Sequence, residues 1–315
     1  MYLSQKFLNS YPAQPEQMNE LGTFTAYRTY VRWLENEGRR ETWKEAVARA
    51  VNYSITQQQK HIDKINYPYK AQDLTKEARQ LFDNIFNLRQ FLSGRTHFVG
   101  GAETQVADKF PLSNFNCAFI EIEKLQDLGE LFTLLMIGTG VGFSCTKEMA
   151  QKLGPVRNDI KLIHADYEPL PKEERIENTK VSVLDNGYMK IYVGDSKGGW
   201  VEALTVLLNI LTDSEYENVH TVKFSYNSVR PKGEKLKTFG GTASGHEPLR
   251  DMFEGIIKVV RGEMDPSIEP PKPCEVLTEN GATIKDHSYV HLRPIHILDI
   301  GNLIGNNVVV GGKQF

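Results

Sequence analysis

The fold is decided by one stretch in the first half of the chain, "NCAFIEIEKLQDLGELFTLLMIGTGVGFSC", residues 116–145. Its first apolar run, up to Ile122, predicts a β-strand, and "LGELFTLLMI" predicts a helix. After a glycine-rich turn, "VGFSC" predicts a second strand. Because strands that alternate with helices are typical of parallel sheets, we predict the α/β fold class with mainly parallel pairing.

The residues before this stretch predict mostly helix, from about residue 20 to 100. The first predicted helix has four apolar side chains on one face: Tyr27, Tyr30, Val31 and Leu34. Gly38 interrupts it, and a helix resumes over 41–51 with Trp43, Ala46, Val47 and Val51 inward. The segment "TKEARQLFDNIFNLRQFL" predicts another amphipathic helix.

The residues after it continue the alternation of strands and helices. A hairpin is predicted in "VSVLDNGYMKIYV", residues 181–193, around an Asp-Asn-Gly turn. Helices are predicted in "GGWVEALTVLLNILT" and "EPLRDMFEGIIKVVRGE", with the strand "TVKFSYNSV" between them. The proline-rich "SIEPPKPCEV" predicts a loop, and the β-branched run Val308–Val310 predicts a last strand.

Composition narrows the classes of protein. The chain has 315 residues, 24% of them charged, and a net charge of −3, so it has no overall basic excess that would indicate a nucleic-acid partner. No apolar run is long enough to predict a membrane partner or a secretory signal. The three cysteines are widely separated and form no CxxC pair, and the histidines form no metal motif. We therefore predict a cytoplasmic protein with no metal site.

The glycine-rich turn "GTGVGFS", residues 138–144, has two interpretations. A strand, a glycine loop and a helix would make a dinucleotide-binding turn, with Asp159 or Asp166 about 20 residues on to hold the ribose. The spacing lacks the third glycine of that fingerprint, so a plain tight turn is the other interpretation.

Three further features each have a functional and a structural interpretation. The segment "VRPKGEKLKTFGGTASGHEPL", residues 229–249, suits a phosphate ligand or a solvated basic loop. In "VGDSKGGWVEAL", Asp195 and Ser196 are suited to hold a ribose or phosphate, or to cap a helix. Cys117 is either a redox thiol or a small buried apolar side chain.

Seven segments, in register over about Phe24–Gly312, resemble one family. They are "TYVRWLENEGRRETWKEAVARAV", "FLSGRTHFVGG", "NFNCAFIEI", "LLMIGTGVGFS", "VGDSKGGWVEAL", "VRPKGEKLKTFGGTASG" and "DIGNLIGNNVVVGG". The family is the monomeric type of adenosylcobalamin-dependent (class II) ribonucleoside-triphosphate reductase. The resemblance implies a helical N-terminal domain, residues 1–108, and the first half of a ten-stranded α/β barrel, residues 109–315, with an effector-site insertion at about 155–215.

The resemblance also implies an activity and a set of site residues. The family reduces ribonucleotides to deoxyribonucleotides through a thiyl radical, with two further cysteines as reductants. Cys117 resembles one member of that reducing pair. The substrate contacts implied are Ser113, Asn114, Gly240, Gly241 and Thr242. The contacts implied for a deoxynucleoside triphosphate effector are Asp195, Ser196, Trp200, Gly311 and Gly312.

The sequence departs from the family pattern in its cysteines. The Asn-Pro-Cys segment of the radical loop and the second reducing cysteine are absent, and Cys145 and Cys274 match no family position. We therefore expect a separate C-terminal half to complete the barrel, to bind most of the adenosylcobalamin and to be needed for activity. A thioredoxin-type protein is the expected reductant. The alternative is a non-catalytic, nucleotide-binding remnant of the enzyme.

Overall fold

The computed structural model describes most of the chain. The described ranges are residues 2–102, 105–184, 186–236, 242–277 and 283–310. They form two compact units, Met1–Asn116 and Cys117–Phe315. The domain boundary that we predicted from the sequence lies between residues 108 and 109. No helix in the described ranges is both long enough and apolar enough to cross a membrane.

The first unit is built mainly from helices. Its helices are α1 (Gln5–Leu8), α2 (Glu20–Thr25), α3 (Trp43–Lys64), α4 (Ala71–Phe86), α5 (Gly94–Val99) and α6 (Val106–Lys109). Helix α3 begins where Thr42 and Glu45 form a reciprocal capping box, which satisfies two backbone N–H groups at the helix start. The residues predicted to face inward on α3 are buried, as are Phe82 and Ile85 on α4. Together they form the core of this unit.

The predicted helix over Tyr27–Leu34 is confirmed as far as Tyr30 and wrong beyond it. A π-helical turn, Ala26–Tyr30, is followed by two short antiparallel strands, β1 (Trp33–Leu34) and β2 (Arg39–Arg40). Gly38 has a φ of 62°, a left-handed conformation that suits glycine and turns the chain between the strands. Polar side chains also stabilise this region. The Glu41 carboxylate accepts a hydrogen bond from the Arg32 backbone N–H at 2.9 Å and forms a salt bridge with Arg49 at 2.8 Å.

The second unit begins with the predicted strand, helix and strand. Strand β3 (Cys117–Glu121), helix α7 (Asp127–Met136) and strand β4 (Gly140–Ser144) follow one another, and β3 pairs with β4 in parallel. Helix α7 buries Leu128, Leu131 and Phe132 in the core of this unit. Within the described ranges β3 and β4 form a two-stranded sheet, so both of their outer edges lack a strand partner there.

A four-stranded sheet follows, in the order β6–β9–β8–β7. Its strands are β6 (Lys161–His164), β7 (Lys180–Leu184), β8 (Tyr188–Tyr192) and β9 (Thr221–Ser225). The predicted hairpin is confirmed, since β7 and β8 pair antiparallel, whereas β8, β9 and β6 pair in parallel. The two predicted helices are confirmed as α9 (Lys197–Thr212) and α10 (Glu247–Arg261). Short helix α8 (Lys147–Lys152) and strand β5 (Val156–Arg157) precede this sheet.

The C-terminal elements differ from the prediction in two places. The proline-rich segment is a loop over residues 267–271, as predicted, but from Lys272 it forms strand β10 (Lys272–Leu277), which pairs with β11 (Thr283–His291). The last element is a helix, α11 (Pro294–Val310), so the strand predicted at Val308–Val310 is wrong. Buried Ile297, Ile300 and Ile304 recur at helical spacing, and this packing outweighs the strand preference of the β-branched residues.

Candidate functional site

Cys117 lies on a solvent-facing side of strand β3. Exposed and partly buried residues alternate along β3, so Cys117, Phe119 and Glu121 share the exposed face. The Cys117 thiol is free and exposed, and Phe119 exposes 64% of its surface. The thiol and the Phe119 ring are therefore both accessible on this side of β3.

The neighbouring strand leaves room beside the thiol. Gly140 lies opposite Cys117 and Gly142 opposite Phe119 in the parallel register. Neither glycine contributes a side chain, so the face beside Cys117 is backbone alone. A Cβ atom at Gly142 would lie 3.4 Å from the Phe119 ring, so the glycine leaves room for this ring on the face that Cys117 shares.

The turn before β4 contradicts the dinucleotide-binding alternative. Helix α7 ends at Met136, the chain turns at Gly138 with a φ of 86°, and β4 begins at Gly140. The order is helix, turn and strand, whereas the dinucleotide fold needs strand, glycine loop and helix. Residues 138–144 are therefore a plain tight turn at Gly138 that leads into strand β4.

Ser113 and Asn114 lie in a 3₁₀ turn at the end of the first unit. Ser113 is fully buried, and its hydroxyl has no hydrogen-bond partner within the described ranges. Asn114 donates from its amide to the Tyr53 hydroxyl at 3.1 Å, while its side-chain oxygen has no partner in the same ranges. Buried polar atoms normally find a partner, so these two oxygens are exceptions in this part of the structure.

The segment Gly194–Gly199 forms the start of helix α9. Ser196 caps the helix by accepting from the Gly199 N–H at 2.8 Å and donates to the Glu177 carbonyl, also at 2.8 Å. A Cβ atom at Gly194 would lie 2.3 Å from the Glu177 carbonyl oxygen, so no larger residue fits there. The structural interpretation of Ser196 as a helix cap is therefore correct, whatever else this residue binds.

Asp195 forms ion pairs with two arginines, and the sequence did not predict these pairs. Its carboxylate accepts from the Arg230 side chain at 2.9 Å and from the Arg230 backbone N–H at 3.1 Å. Arg175 lies 3.6 Å from the same carboxylate and also pairs with Glu234 at 2.9 Å. Arg230 belongs to the basic segment 229–249 and Arg175 to no quoted motif, and tertiary folding brings both side chains to Asp195.

Two other residues near the α9 start have distinctive surroundings. Burial lowers the pKa of Lys197 to about 8, because the charged ammonium loses its water. Trp200, predicted as an effector contact, is partly buried and packs against the core of the second unit. Its indole contributes to packing as well as to any binding surface.

Of the remaining positions predicted from the sequence, some lie within the ranges that the structure describes and others lie outside them. Thr242 is exposed and pairs with Lys235 in an isolated antiparallel bridge. Gly240, Gly241, Gly311 and Gly312 lie outside the described residues. Cys274 is buried, which raises the pKa of its thiol and makes it a poor nucleophile.

Ligands for a metal ion do not gather in the described ranges. No group of three or more His, Cys, Asp or Glu side chains there is arranged to hold an ion. Among the C-terminal histidines, His287 and His291 are exposed, whereas His296 is buried.

Two family models match the chain. Residues 3–102 match the ribonucleotide reductase alpha domain. Residues 170–260 match the insertion domain of B12-dependent ribonucleotide reductase. The second match contains the hairpin, helix α9 and the Asp195–Arg230 pair.

Known proteins resemble the chain over nearly its whole length. An adenosylcobalamin-dependent ribonucleoside-triphosphate reductase of Lacticaseibacillus paracasei is 30% identical, covering 94% of this chain and 40% of the relative. A probable enzyme of the same name in Dictyostelium discoideum is 28% identical, covering 99% of this chain and 37% of the relative. A crystal structure of a B12-dependent (class II) ribonucleotide reductase superposes with a TM-score of 0.74 at 26% identity, covering 98% of this chain and 43% of that chain.

The fold and the sequence therefore define an α/β protein of the ribonucleotide reductase type. More narrowly, the chain belongs to the adenosylcobalamin-dependent (class II) ribonucleotide reductase family and corresponds to the N-terminal portion of it. This confirms the predicted family and fold class. The chain spans about two fifths of the length of the curated relatives it matches.

Proposed function

We propose that this chain is the Cys117-bearing part of a split adenosylcobalamin-dependent ribonucleotide reductase, completed by a separate C-terminal polypeptide. The observation that carries the proposal is the open face of β3 and β4, where an exposed thiol, an exposed Phe119 and, within the described ranges, two unpaired strand edges occur together.

The physical argument is that parallel strands are rarely left uncovered. Parallel sheets occur almost only with both faces covered, and a bare strand edge is an aggregation hazard. Burying a phenylalanine stabilises a complex by about 1.5–3 kcal/mol. A second polypeptide that adds strands beside β3 or β4 would supply both the cover and the pairing.

The chemistry proposed for Cys117 is two-electron reduction of the substrate ribose. Cys117 and a second cysteine, supplied by the other chain, give up two electrons and two protons as the 2′ hydroxyl leaves as water. The two sulfurs become a disulfide, which an external dithiol such as a thioredoxin-type protein reduces. An exposed thiol on a strand face is suited to this role, because it must reach both the ribose and the second sulfur.

Adenosylcobalamin would supply the radical that starts the reaction. Phe119 offers an exposed apolar surface next to Cys117 that one side of such a site would use. The family's radical cysteine has no counterpart among Cys145 and Cys274, so we assign that residue and most cobalamin contacts to the completing chain.

We also propose that the insertion region binds a deoxynucleoside triphosphate effector near Asp195, Ser196 and Trp200. The start of α9 supports this, because a helix of 16 residues presents a positive N-terminus to an anion. In this proposal Gly311 and Gly312 connect the effector to the substrate, and Ser113, Asn114, Gly240, Gly241 and Thr242 line the substrate region.

A second candidate function is binding of the effector without catalysis. The observation favouring it is that the four-stranded sheet, α9 and α10 share a buried core within this chain. A remnant of the enzyme would therefore retain nucleotide binding without a partner. Such a protein would bind a deoxynucleoside triphosphate and form no complex with a C-terminal polypeptide.

The proposed function is tested by mixing the chain with the complementary C-terminal polypeptide from its own source. Deoxyribonucleotide formation is measured with adenosylcobalamin, a ribonucleoside triphosphate and a dithiol. We expect turnover by the mixture only, and none with Cys117→Ser. Cys145→Ser is the matched control and should retain activity. Turnover that survives Cys117→Ser contradicts the role of Cys117, and lack of a complex contradicts the split enzyme.

A further inference from the structure

The four-stranded sheet has two faces of opposite character. Neighbouring residues in its register share a face, and side chains alternate between faces along each strand. One face carries the buried apolar residues Met189, Ile191, Val222 and Phe224. Phe224 stacks on Phe253 of α10 at a ring separation of 4.4 Å, so this face is the one that meets the helix.

The other face is basic and aromatic. Its eleven residues, read across the register, are Lys161, Ile163, Lys180, Ser182, Leu184, Tyr188, Lys190, Tyr192, Thr221, Lys223 and Ser225. Four are lysines, two are tyrosines and none is acidic. We call these residues the lysine face. Lys161, Lys180, Leu184 and Tyr192 are exposed, and all the others except Ser225 are partly exposed.

The charges on the lysine face are uncompensated within the described ranges. None of its four lysines forms an ion pair there. Lys190 and Lys223 lie directly opposite each other on adjacent strands, which are about 4.8 Å apart. Like charges in this arrangement destabilise a sheet, so an anion on this face would relieve a repulsion.

The aromatic residues are placed to contact bases. Tyr188 and Tyr192 share the face with Lys190 on strand β8, with about 13 Å between the two tyrosine positions. The Lys190 ammonium lies 4.5 Å from the centre of the Tyr192 ring. Aromatic side chains alternating with cations on an open four-stranded sheet are the arrangement by which sheet proteins stack single-stranded bases and pair with the phosphates.

We propose that the lysine face binds single-stranded nucleic acid, with Tyr188 and Tyr192 stacking on bases and Lys161, Lys180, Lys190 and Lys223 contacting phosphates. The net charge of −3 led the sequence analysis to predict no nucleic-acid partner. That average conceals the segregation of charge, since the strand register collects four lysines on one face and excludes every acidic residue from it. An acidic protein would use the lysines but gain little from the two tyrosines.

The test is fluorescence anisotropy of a labelled 20-nucleotide oligo(dT) with the purified chain. We expect binding that weakens with salt, because each phosphate contact on a single strand contributes about −0.7 to the slope of log K against log salt. Lys190→Glu with Lys223→Glu should weaken binding at least tenfold and reduce the slope by about 1.4. Tyr188→Ala with Tyr192→Ala should weaken binding about tenfold or more while leaving the slope unchanged.

The controls separate this proposal from non-specific attraction. Lys60→Glu with Lys64→Glu alters the net charge equally on exposed positions of α3 and should leave affinity within twofold. Inorganic polyphosphate and a poly-glutamate peptide are the competing anions, and both should compete poorly with oligo(dT). The proposal is overturned if oligo(dT) does not bind at low salt, if the α3 variant loses as much affinity, or if the tyrosine variant binds normally. Binding does not involve Cys117 or a second chain, so its failure would leave the proposed reductase function untouched.

Discussion

At the scale of single residues, the three cysteines have distinct environments. Cys117 is exposed, Cys145 is partly buried, and Cys274 is buried with a raised thiol pKa. Sequence patterning predicted a strand at Cys117 but left its side chain open between a buried residue and a reactive thiol. The side of the strand that faces solvent is set by tertiary packing, which local sequence does not encode.

Thiol labelling tests these environments directly. With limiting iodoacetamide on the folded chain at pH 8, we expect Cys117 to be alkylated first and Cys274 last, because only exposed thiolates react quickly. Peptide mass spectrometry reads the order, and denatured protein, in which all three should react at similar rates, is the control. Preferential labelling of Cys274 would contradict its burial.

Gly194 is a second residue whose role follows from geometry. A methyl group there would meet the Glu177 carbonyl oxygen, so Gly194→Ala should lower the free energy of unfolding by about 1–3 kcal/mol. Gly154→Ala is the matched control, because a Cβ at Gly154 meets nothing within 4 Å. Urea denaturation of the two variants should separate them clearly. Equal stability would mean that the loop at residues 177–178 does not approach the start of α9.

His97 predicts a pH dependence of stability. Burial, and then the charge of Arg49, lower its pKa to about 4 from an ordinary value of 6.5. Between these values the unfolded chain binds more protons than the folded one, so the free energy of unfolding falls as the pH drops from 6.5 to 4, by up to about 3 kcal/mol. Above pH 6.5 the imidazole is neutral in both the folded and the unfolded chain, so this loss of stability is absent there.

The contribution of His97 is measured by comparing urea denaturation at pH 7 and pH 4.5. His97→Leu, which suits the aromatic surroundings of Trp43 and Tyr30, should lose less stability on acidification than the unmodified chain does. His61→Leu, at an exposed position on α3, should keep the original pH dependence. Identical acid sensitivity in His97→Leu would show that His97 titrates normally.

At the scale of elements, sequence patterns predicted long elements well and short ones poorly. Helices α9 and α10 and the β7–β8 hairpin follow from periodicity and turn residues. The β1–β2 hairpin was missed because the buried Glu41–Arg49 pair and the positive φ at Gly38 decide that region. Helix α11 was missed at its end because packing, not the preference of β-branched residues, decides the conformation.

In the candidate site, too, some features were predicted from the sequence and others were not. Cys117, Ser113 and Asn114 were predicted from the family resemblance, and the structure adds that Cys117 is exposed and Ser113 buried. The ion pairs of Arg175 and Arg230 with Asp195 were not predicted, although Arg230 lies in the basic segment 229–249, because the two arginines are 20 and 35 residues from Asp195 in sequence. Long-range ion pairs leave no periodic signal, so no local pattern would have found them.

At the scale of the whole molecule, the open face of β3 and β4 predicts assembly. Phe119→Glu should leave the stability of the isolated chain within about 0.5 kcal/mol, since the ring is exposed. The same change should weaken association with the complementary C-terminal polypeptide at least tenfold, because it places a charge in the interface. Val183→Glu, at a similarly exposed position on β7, is the matched control. Both associations are measured by analytical ultracentrifugation, and unchanged association of Phe119→Glu would mean that this face is not the contact.

We propose above that Cys117 reduces the substrate together with a cysteine of the C-terminal polypeptide. The most direct measurement is a single turnover of the assembled complex with adenosylcobalamin and one equivalent of ribonucleoside triphosphate, without external reductant, followed by peptide mass spectrometry under non-reducing conditions. We expect a disulfide between Cys117 and a cysteine of the C-terminal polypeptide, in an amount proportional to the deoxyribonucleotide formed. Product formation with Cys117 still a free thiol would contradict it.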